Sequence, residues 1–340
     1  MTSLSKRPTI VDVARLAHVS TGTVSNVLAN HRLVRLRTRR RVEAAITALN
    51  YRPNRIAQSL TGRPTRVIGM IVPDVTNPFF SELMLGAEGE LEGAGYAVVF
   101  GNSHGNATRQ SSYLGNFRDR RVDGLILVIA AETEAEALSE PADGIPLVLV
   151  DRTLDRWQGD QVLGDNEAGM KLAVEHLVKL GHRRIALING EDVWTGARRK
   201  RGFEAALEQE GLKPDPRYVS HGSFTFDSGL VQARRLLALA DRPSSICAGN
   251  DLLAMAAIVA AQERGISVPS DLSVVGYDDI AYAQLVSPGL TTVRQAATKM
   301  GAEASRLLLD RFTNERTEDR TIVIRPTLVT RGSTAPVRNP

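Results

Sequence analysis

The 340-residue sequence has a single cysteine, Cys247, and this scarcity excludes a protein held together by disulfide bonds within one chain. A lone cysteine fits a reducing compartment, and its apolar setting in residues 245–248 indicates a small buried side chain, not a nucleophile. No apolar run reaches the ~18 residues that cross a bilayer, and residues 1–9 lack the apolar stretch of a secretion signal. We therefore expect a cytoplasmic protein with no membrane partner.

Acidic residues are scarce at the start of the chain. The first 63 residues carry 12 lysines or arginines but only Asp12 and Glu43, whereas the remainder carries 30 basic and 36 acidic side chains. A small basic segment on a larger acidic body indicates that the first part binds a polyanion and that the body has another role. With 43% hydrophobic residues overall, each part can bury a core of its own.

Three short helices are predicted in the basic segment. Thr9 is a good N-cap for a helix through residue 17, and Asp12 completes a capping-box pattern with it. Apolar spacing predicts a second helix over residues 21–29 and a third over residues 36–49, whose start is crowded with arginines. The first two helices are joined by about three residues, which is the spacing of a helix-turn-helix.

The second predicted helix has an apolar back and a polar front. Its polar positions are Thr21, Gly22, Thr23, Ser25 and Asn26. One interpretation is a solvated three-helix bundle with a charged surface. The other is a helix that faces a DNA groove, with the nearby arginines on phosphates and these polar side chains on base edges. The polar face favours the second interpretation.

The basic segment resembles the DNA-binding head of the lactose-repressor (LacI/GalR) family. The matching stretches are TIVDVAR at 9–15, TVS at 23–25, NYRPN at 50–54 and AQSL at 57–60. The resemblance implies that residues 54–60 form a hinge helix and that Leu60 wedges into the minor groove of kinked DNA. It implies that double-stranded operator DNA is contacted by Thr9, Ser20, Thr21, Gly22, Thr23, Ser25, Asn26, Val34, Arg35, Thr38, Tyr51, Asn54, Ala57 and Leu60.

Four positions depart from the family pattern. Asn26 stands where arginine is usual, and asparagine pairs best with adenine whereas arginine pairs best with guanine. Gly22 has no side chain with which to read a base. His18 replaces a turn glycine where a positive φ is expected, and Arg35 replaces a serine N-cap. The operator sequence of relatives therefore does not transfer, and phosphate contacts are expected to supply more of the affinity.

A breaker-rich junction at residues 61–65 marks the boundary between the head and the body. Beyond it, short apolar runs alternate with amphipathic helices that end at glycines such as Gly181, Gly211 and Gly265. Such runs predict strands buried on both faces, and their alternation with helices predicts a parallel α/β arrangement. The number of runs indicates two sheets.

The body resembles the periplasmic-binding-protein-like core of the same family over about residues 66–331. The matching stretches include PDVTNPFF at 73–80, VDR at 150–152, RKRGF at 199–203 and VGYDD at 275–279. The resemblance implies two Rossmann-like lobes joined by three crossovers, with an effector in the cleft between them. The expected fold is thus an all-α helix-turn-helix head plus hinge helix, followed by an α/β core.

The expected domain boundaries follow from these matches. They are a DNA-binding domain at 1–52, a hinge helix and linker at 53–65, and an effector-binding and dimerisation core at 66–333. The first lobe is expected over about 66–163 and 294–322, and the second over about 164–293 and 323–333. Residues 332–340 show no heptad pattern, so we expect a frayed polar tail and no tetramerising coiled coil.

The cleft is expected where ligands bind open α/β sheets, beyond the carboxyl ends of the strands. Acidic or amide side chains follow four predicted strands directly, at Asp74, Asp151, Asn250 and Asp278. The family resemblance adds Arg199 as a ligand clamp and Phe79, Phe80 and Phe224 as an aromatic cover. Each of these residues taken singly has a structural alternative as a helix cap, an ion pair or a core side chain. Together they suit a polyhydroxylated ligand.

Enzymatic alternatives are weak. Residues 101–105 fit the G-x-S-x-G pattern of a nucleophile elbow after a predicted strand, but no oxyanion segment and no Asp/His pair accompany Ser103. There is no phosphate-binding loop motif, and the six histidines have no metal-ligand spacing. We therefore expect no enzymatic activity, no cofactor and no metal.

The sequence predicts a homodimeric, DNA-binding transcriptional regulator, and most simply a repressor. One short recognition helix reads few base pairs, so two-fold symmetry and a pseudo-palindromic operator are expected. A sugar or sugar derivative is the expected effector. The alternatives are a regulator that takes a purine or a phosphorylated metabolite, and a free-standing solute-binding protein. The sequence leaves open whether the effector releases or promotes DNA binding.

Overall fold

The structure, a computed structural model, describes residues 8–28, 34–51, 64–130, 138, 144–155, 157–190, 193–313 and 318–337. It divides into two compact units, with the boundary between Thr65 and Arg66. The expected hinge helix, with Asn54, Ala57 and Leu60, lies outside the described residues. No helix within the described ranges is long and apolar enough to span a membrane.

The first unit contains three helices, α1 (Ile10–Leu16), α2 (Thr21–Leu28) and α3 (Leu36–Ala48). They enclose a small core centred on Val13, Val24 and Val42, which are all fully buried. The expected capping box is present, because the Thr9 and Asp12 backbone N–H groups bond to each other's side chains. This small core is the scaffold on which α2 presents its polar face.

The turn between α1 and α2 carries the positive φ expected at its first position. His18 has a φ of 50°, a conformation that costs a non-glycine residue free energy. The guanidinium of Arg41, from α3, donates hydrogen bonds to the carbonyl oxygens of Ala17 and His18. Arg41 therefore holds the turn from the third helix.

The second unit is an α/β structure with two six-stranded sheets. Its described helices are α4 (Pro78–Gly93), α5 (Ala107–Asp119), α6 (Asn166–Lys179), α7 (Trp194–Gln209), α8 (Phe226–Leu237), α9 (Asp251–Glu263) and α10 (Ala297–Phe312). Its strands are β1 (Val67–Val72), β2 (Ala97–Asn102), β3 (Gly124–Leu127), β4 (Leu147–Val150), β5 (Asp160–Gly164), β6 (Ile185–Asn189), β7 (Val219–His221), β8 (Ser245–Ala248), β9 (Ser273–Asp278), β10 (Thr291–Arg294), β11 (Thr321–Ile324) and β12 (Thr327–Val329).

Each sheet forms one lobe. The first has the strand order β11-β5-β4-β3-β1-β2 and is parallel throughout, and the second has the order β12-β10-β9-β8-β6-β7 with only β12 antiparallel. The central strands are short apolar runs because helices cover both of their faces, whereas the edge strands β2 and β11 are partly exposed. The chain crosses between lobes after β5, after β10 and after β11. These three crossings agree with the two-lobed Rossmann-like fold expected from the sequence.

The end of the chain differs from the expected frayed tail. Ser333 donates to the carbonyl oxygen of Val274 at 2.6 Å and accepts from the N–H of Thr291 at 2.8 Å. The Val337 N–H donates to the Leu180 carbonyl oxygen at 2.8 Å. The prediction of a frayed tail is therefore wrong for residues 332–337, because the local sequence does not reveal partners that lie far along the chain. Residues 338–340 lie outside the described ranges.

Candidate effector pocket and DNA-reading surface

A small pocket lies between the two lobes of the second unit. Both lobes contribute, and the walls combine carboxylates, guanidinium groups, amides and phenyl rings. The lining residues are Asn77, Phe79, Phe80, Asp151, Arg152, Thr195, Arg199, Phe224, Asn250 and Asp278.

The pocket is built at the carboxyl ends of parallel strands, where loops bring polar side chains together. Asp151 follows β4, Asn250 follows β8 by two residues, and Asp278 is the last residue of β9. Asp151 and Asp278 have φ values of 67° and 108°, so the backbone turns sharply where each side chain enters the pocket. Such strained positions persist when the surrounding structure fixes them, and they concentrate at functional sites.

Arg199 is the central cation of the pocket and is almost completely buried. Its Nε donates to the side-chain oxygen of Asn166 at 2.7 Å, and its Nη1 donates to the carbonyl oxygen of Gly249. Its Nη2 lies 3.6 Å from Oδ1 of Asp278. The guanidinium carbon also lies 4.0 Å from the ring centre of Tyr277, a cation–π geometry. These contacts fix the fork of the guanidinium before any ligand arrives.

A second pair of opposite charges lies in the first lobe. Nε of Arg152 lies 3.7 Å from Oδ2 of Asp151, and Nη1 of Arg152 donates to the Ile129 carbonyl oxygen at 3.2 Å. The lining thus contains two carboxylates and two guanidinium groups.

The aromatic walls are held by backbone caps. The Asn77 side chain accepts a hydrogen bond from the Phe79 N–H at 3.1 Å and so caps α4, which positions both Phe79 and Phe80. The two rings meet edge to face, with centres 5.2 Å apart. From the second lobe, the Phe224 carbonyl oxygen accepts from the Asn250 side chain at 3.1 Å. Both lobes therefore contribute phenyl rings to the wall of the pocket.

Burial changes the protonation of the acids around the pocket. It raises the pKa of Asp278 to about 7, although Arg199 and a hydrogen bond from Gln295 act in the opposite direction. Burial also raises the pKa of Asp151, against the attraction of Arg152 and Arg199. The pKa of Asp251, which lies behind Asp278, is raised by burial and by the negative charge of Asp278. Perturbed carboxyl groups of this kind are typical of functional pockets.

Several buried polar atoms near the pocket lack a hydrogen-bond partner within the described part of the chain. They are Oδ1 of Asp151, Oε1 of Gln295, Oδ1 of Asn189 and the Tyr277 hydroxyl. Unsatisfied buried groups cost free energy unless a ligand or water binds to them. Among these atoms, Oδ1 of Asp151 belongs to a lining residue, so the pocket offers at least one acceptor that the described residues do not use.

Seven of the eight residues expected to bind the effector line this one pocket, and Asp74 does not. Oδ1 of Asp74 instead accepts from the N–H and hydroxyl of Thr76, at 2.9 and 2.6 Å, and so closes a local turn. Sequence reasoning missed Asn77, Arg152 and Thr195. Asn77 and Arg152 lie inside the recognised stretches PDVTNPFF and VDR, whereas Thr195 is brought in by the first turn of α7 and carried no signal of its own.

The expected base-reading residues of the head lie on α2 and at its flanks. Thr21, Gly22 and Asn26 are exposed on one side of α2, opposite the buried Val24 and Val27. The other described candidates that are exposed are Thr9, Ser20 and Arg35, and those that are half-buried are Thr23, Ser25, Val34, Thr38 and Tyr51.

Ser20 directly precedes α2, and Arg35 directly precedes α3. Only the serine side chain caps its helix. The Ser20 side chain accepts from the Thr23 N–H at 3.1 Å, which caps α2. Arg35 is the N-cap residue of α3 and makes no side-chain capping bond. Arg35 is exposed and stands at a helix start, where a cation is unfavourable unless an anion binds there.

Ser103 and Cys247, which were considered as nucleophiles, are both buried side chains. Ser103 is completely buried and donates to the Val72 carbonyl oxygen at 3.3 Å, so it is not presented at a strand-to-helix elbow. Cys247 is buried in the second lobe, where burial raises the pKa of its thiol. Within the described ranges, no cluster of histidine, cysteine or acidic residues has the arrangement of a metal site.

Comparison with known proteins defines the class. Residues 9–54 match the profile of bacterial regulatory proteins of the lacI family, and residues 174–334 match a periplasmic binding protein-like domain. The HTH-type transcriptional repressor PurR of Aliivibrio salmonicida (strain LFI1238) is 37% identical over 328 residues, covering 96% of this chain and 98% of its own. The chain therefore belongs to the LacI family of DNA-binding transcriptional regulators.

Solved structures agree over nearly the whole length. The lac repressor dimer bound to operator and the anti-inducer ONPF has a TM-score of 0.87 at 29% identity, covering 97% of this chain and 100% of its own. A LacI family transcriptional regulator from Enterococcus faecium with bound ribose has a TM-score of 0.73 at 32% identity, covering 80% of this chain and 100% of its own. The periplasmic-binding-protein-like fold of the body is thereby confirmed.

Proposed function

We propose that this protein is a homodimeric transcriptional repressor whose operator binding is controlled by a neutral, polyhydroxylated effector, a sugar or sugar derivative, in the interlobe pocket. The observation that carries this proposal is the pocket itself, in which two carboxylates, two guanidinium groups and two amides surround one small space. Vicinal hydroxyl groups can donate to the carboxylates and accept from the guanidinium groups at the same time.

An unpartnered acceptor and the aromatic walls support the same ligand class. Oδ1 of Asp151, a lining residue, has no hydrogen-bond partner among the described residues, and a hydroxyl donor would satisfy it. Phe79, Phe80 and Phe224 can cover the C–H faces of a saturated ring. The regulator of known structure that holds ribose shares the fold at 32% identity, which supports a sugar.

A purine effector is the second candidate, and the relatives favour it. The Aliivibrio salmonicida relative is a repressor named PurR, and it aligns with 96% of this chain. A planar base would be held between facing rings, and Phe224 of the second lobe and Phe80 of the first offer two such rings.

A ligand screen separates the two candidates. The intact protein would be unfolded thermally in the presence of neutral pentoses, hexoses, disaccharides, nucleobases and sugar phosphates. A ligand at about 100 times its Kd adds about 2.7 kcal/mol of stability, which raises Tm by several degrees. Stabilisation by neutral sugars alone supports the first proposal, whereas stabilisation only by nucleobases would replace it with the second.

Two variants test whether any response comes from this pocket. Asp278→Asn removes a charge from the lining and should abolish the stabilisation by the ligand. Asp74→Asn is the matched control, because Asp74 lies outside the lining and asparagine can keep the turn to Thr76. Loss of the response in both variants, or in neither, would contradict the assignment of the pocket.

DNA binding is tested separately with duplexes selected from a random pool. We expect a pseudo-palindromic site, because each α2 reads only a few base pairs and a dimer doubles the site. The effector found in the screen should then change the operator Kd by about 5- to 150-fold. A protein that selects no DNA sequence, or whose operator affinity does not change with any ligand, would not be the proposed regulator.

A further inference from the structure

One side chain of the second lobe is buried in the apolar core of the first. Ile280 is only 2% exposed and belongs to the cluster that contains Phe79, Phe80 and Leu83, whose other buried members all come from the first lobe. Leu252 and Met255, from the start of α9, pack against the same cluster. The two lobes are therefore joined by apolar contacts beside the pocket as well as by the crossing strands.

Ile280 is tied closely to the pocket by the chain. It follows Asp278, which lines the pocket, and Asp279, and both of these aspartates have positive φ values, 108° and 59°. Two successive non-glycine residues in this region form a stiff, costly bend. Asp278 and Ile280 are therefore held at a fixed spacing, and both move together with the second lobe.

The same bend is anchored on both sides within the second lobe. The Ile280 N–H donates to Oδ2 of the buried Asp251 at 2.8 Å, and Asp251 directly follows the pocket residue Asn250. Asp279 forms ion pairs with Arg294 and Arg331, each at 2.7 Å. The segment 278–280 is thus rigid relative to the second lobe, and only its apolar end reaches into the first.

From this arrangement we infer that Ile280 is the positioning residue that couples occupation of the pocket to closure of the two lobes. Closure buries the Ile280 side chain in the first lobe, and opening withdraws it into solvent, so this side chain biases the equilibrium toward the closed form. An effector that contacts both lobes adds to the same bias. The inference rests on the proposed effector pocket.

Ile280→Ala tests this role, and Ile258→Ala is its matched control. Ile258 is equally buried, at 4% exposure, but belongs to the core of the second lobe alone. Both variants lose the same atoms from an apolar core, so both are expected to lower Tm. Only Ile280→Ala should favour the open form. Ile280→Val, which loses fewer atoms, should keep most of the population of the closed form.

Lobe closure can be measured without any effector. Spin labels would be attached at Thr108→Cys in the first lobe and Glu208→Cys in the second, both exposed, while the native Cys247 is buried and escapes labelling. Labelled protein diluted into unlabelled protein reports distances within one chain. We expect Ile280→Ala to shift this distance distribution and Ile258→Ala to leave it as in the parent. Equal distributions for the two variants would overturn the inference.

Effector binding provides the second readout. Because a ligand that needs the closed form binds more weakly when that form is less populated, the effector Kd of Ile280→Ala should rise about tenfold or more, with less than about threefold for Ile258→Ala. Similar Kd changes in the two variants would also overturn the inference. If no ligand binds the parent protein, the proposed effector function fails, while the spin-label distances still decide the role of Ile280.

Discussion

At the scale of single residues, the pocket draws its polar side chains from strand ends and from helix α7. Asp151, Arg199 and Asp278 converge as expected. Asp74 also follows a strand, but its carboxylate is used by the local turn to Thr76. Thr195 lines the pocket without any preceding signal, because its place depends on how α7 packs against the sheet. Local sequence thus predicts which polar residues can reach the pocket, but it does not predict which hydrogen bonds their side chains form.

The left-handed conformation of His18 gives a stability prediction. Glycine adopts a φ of 50° without the steric cost borne by histidine, so His18→Gly should raise the free energy of unfolding of the head by about 1 kcal/mol. Hydrogen exchange of the α1 and α2 amides in the intact protein would measure it. His18→Ala is the control, since alanine keeps the strain and should bring no gain. Equal protection in both variants would mean that the ring, not the backbone, sets the cost.

We expect Arg35 to lower the stability of α3 and to raise the affinity of the head for DNA phosphates. Arg35→Ser should supply the missing N-cap of α3 and stabilise the head by about 1 kcal/mol. The same change removes one cation per subunit that we expect on a phosphate, so operator affinity should fall and the slope of log K against log salt should shrink by about 1.8 for the dimer. Titrations at several salt concentrations measure that slope. An unchanged slope would remove Arg35 from the DNA contacts.

Asp278 should make stability depend on pH. Its pKa is raised from 3.8 to about 7 in the folded protein, so between these values the folded state binds more protons than the unfolded state. The contribution of Asp278 to the free energy of unfolding is therefore greatest below about pH 4 and falls as the pH rises to about 7. Asp278→Asn should accordingly gain stability relative to the parent protein as the pH rises through this window. The difference between their unfolding free energies, measured across the window, should level off above it, and a constant difference would contradict the shift.

At the scale of elements, the alternation of strands and helices was predictable from apolar runs and glycine stops, whereas the path of the C-terminal segment was not. Residues 333–337 are polar or small and carry no periodicity, yet Ser333 and Val337 bond to backbone groups of the second lobe. His182 reinforces that attachment, with its ring within 3.1 Å of the Ala335 carbonyl oxygen. Hydrogen bonds to distant partners leave no local pattern.

The packing of α4 on α10 depends on two glycines. A Cβ atom on Gly86 would lie 1.9 Å from the Thr298 carbonyl oxygen, and one on Gly301 would lie 2.0 Å from that of Leu83. Because backbone atoms cannot yield at such distances, Gly86→Ala and Gly301→Ala should each destabilise the first lobe by about 1–3 kcal/mol in urea unfolding. Gly89→Ala, also in α4 but with open space around it, should be neutral or stabilising. Equal behaviour of Gly86→Ala and Gly89→Ala would contradict the close approach.

At the scale of the whole molecule, the proposed regulator acts as a dimer, and the surface of the first lobe favours one face for the contact between its two copies. Its edge strand β2 exposes Val99 and Phe100, and the neighbouring helix α4 exposes Leu85. An exposed edge strand with adjacent apolar side chains is a ready interaction surface. The opposite edge strand, β11, exposes only Val323 among its larger apolar side chains.

Charged substitutions on the two edges test which one is used. Val99→Lys should weaken the dimer at least tenfold by placing a desolvated charge in the contact, and operator affinity should fall with it because one head reads only half a site. Val323→Lys is the matched control, since both valines are about half exposed, at 42% and 51%, on edge strands of the same sheet. Sedimentation velocity and operator titration measure the two effects. Dissociation by Val323→Lys and not by Val99→Lys would place the contact on the β11 edge, whereas an unchanged dimer in both would move it to the second lobe, where Tyr282 and Leu285 are exposed.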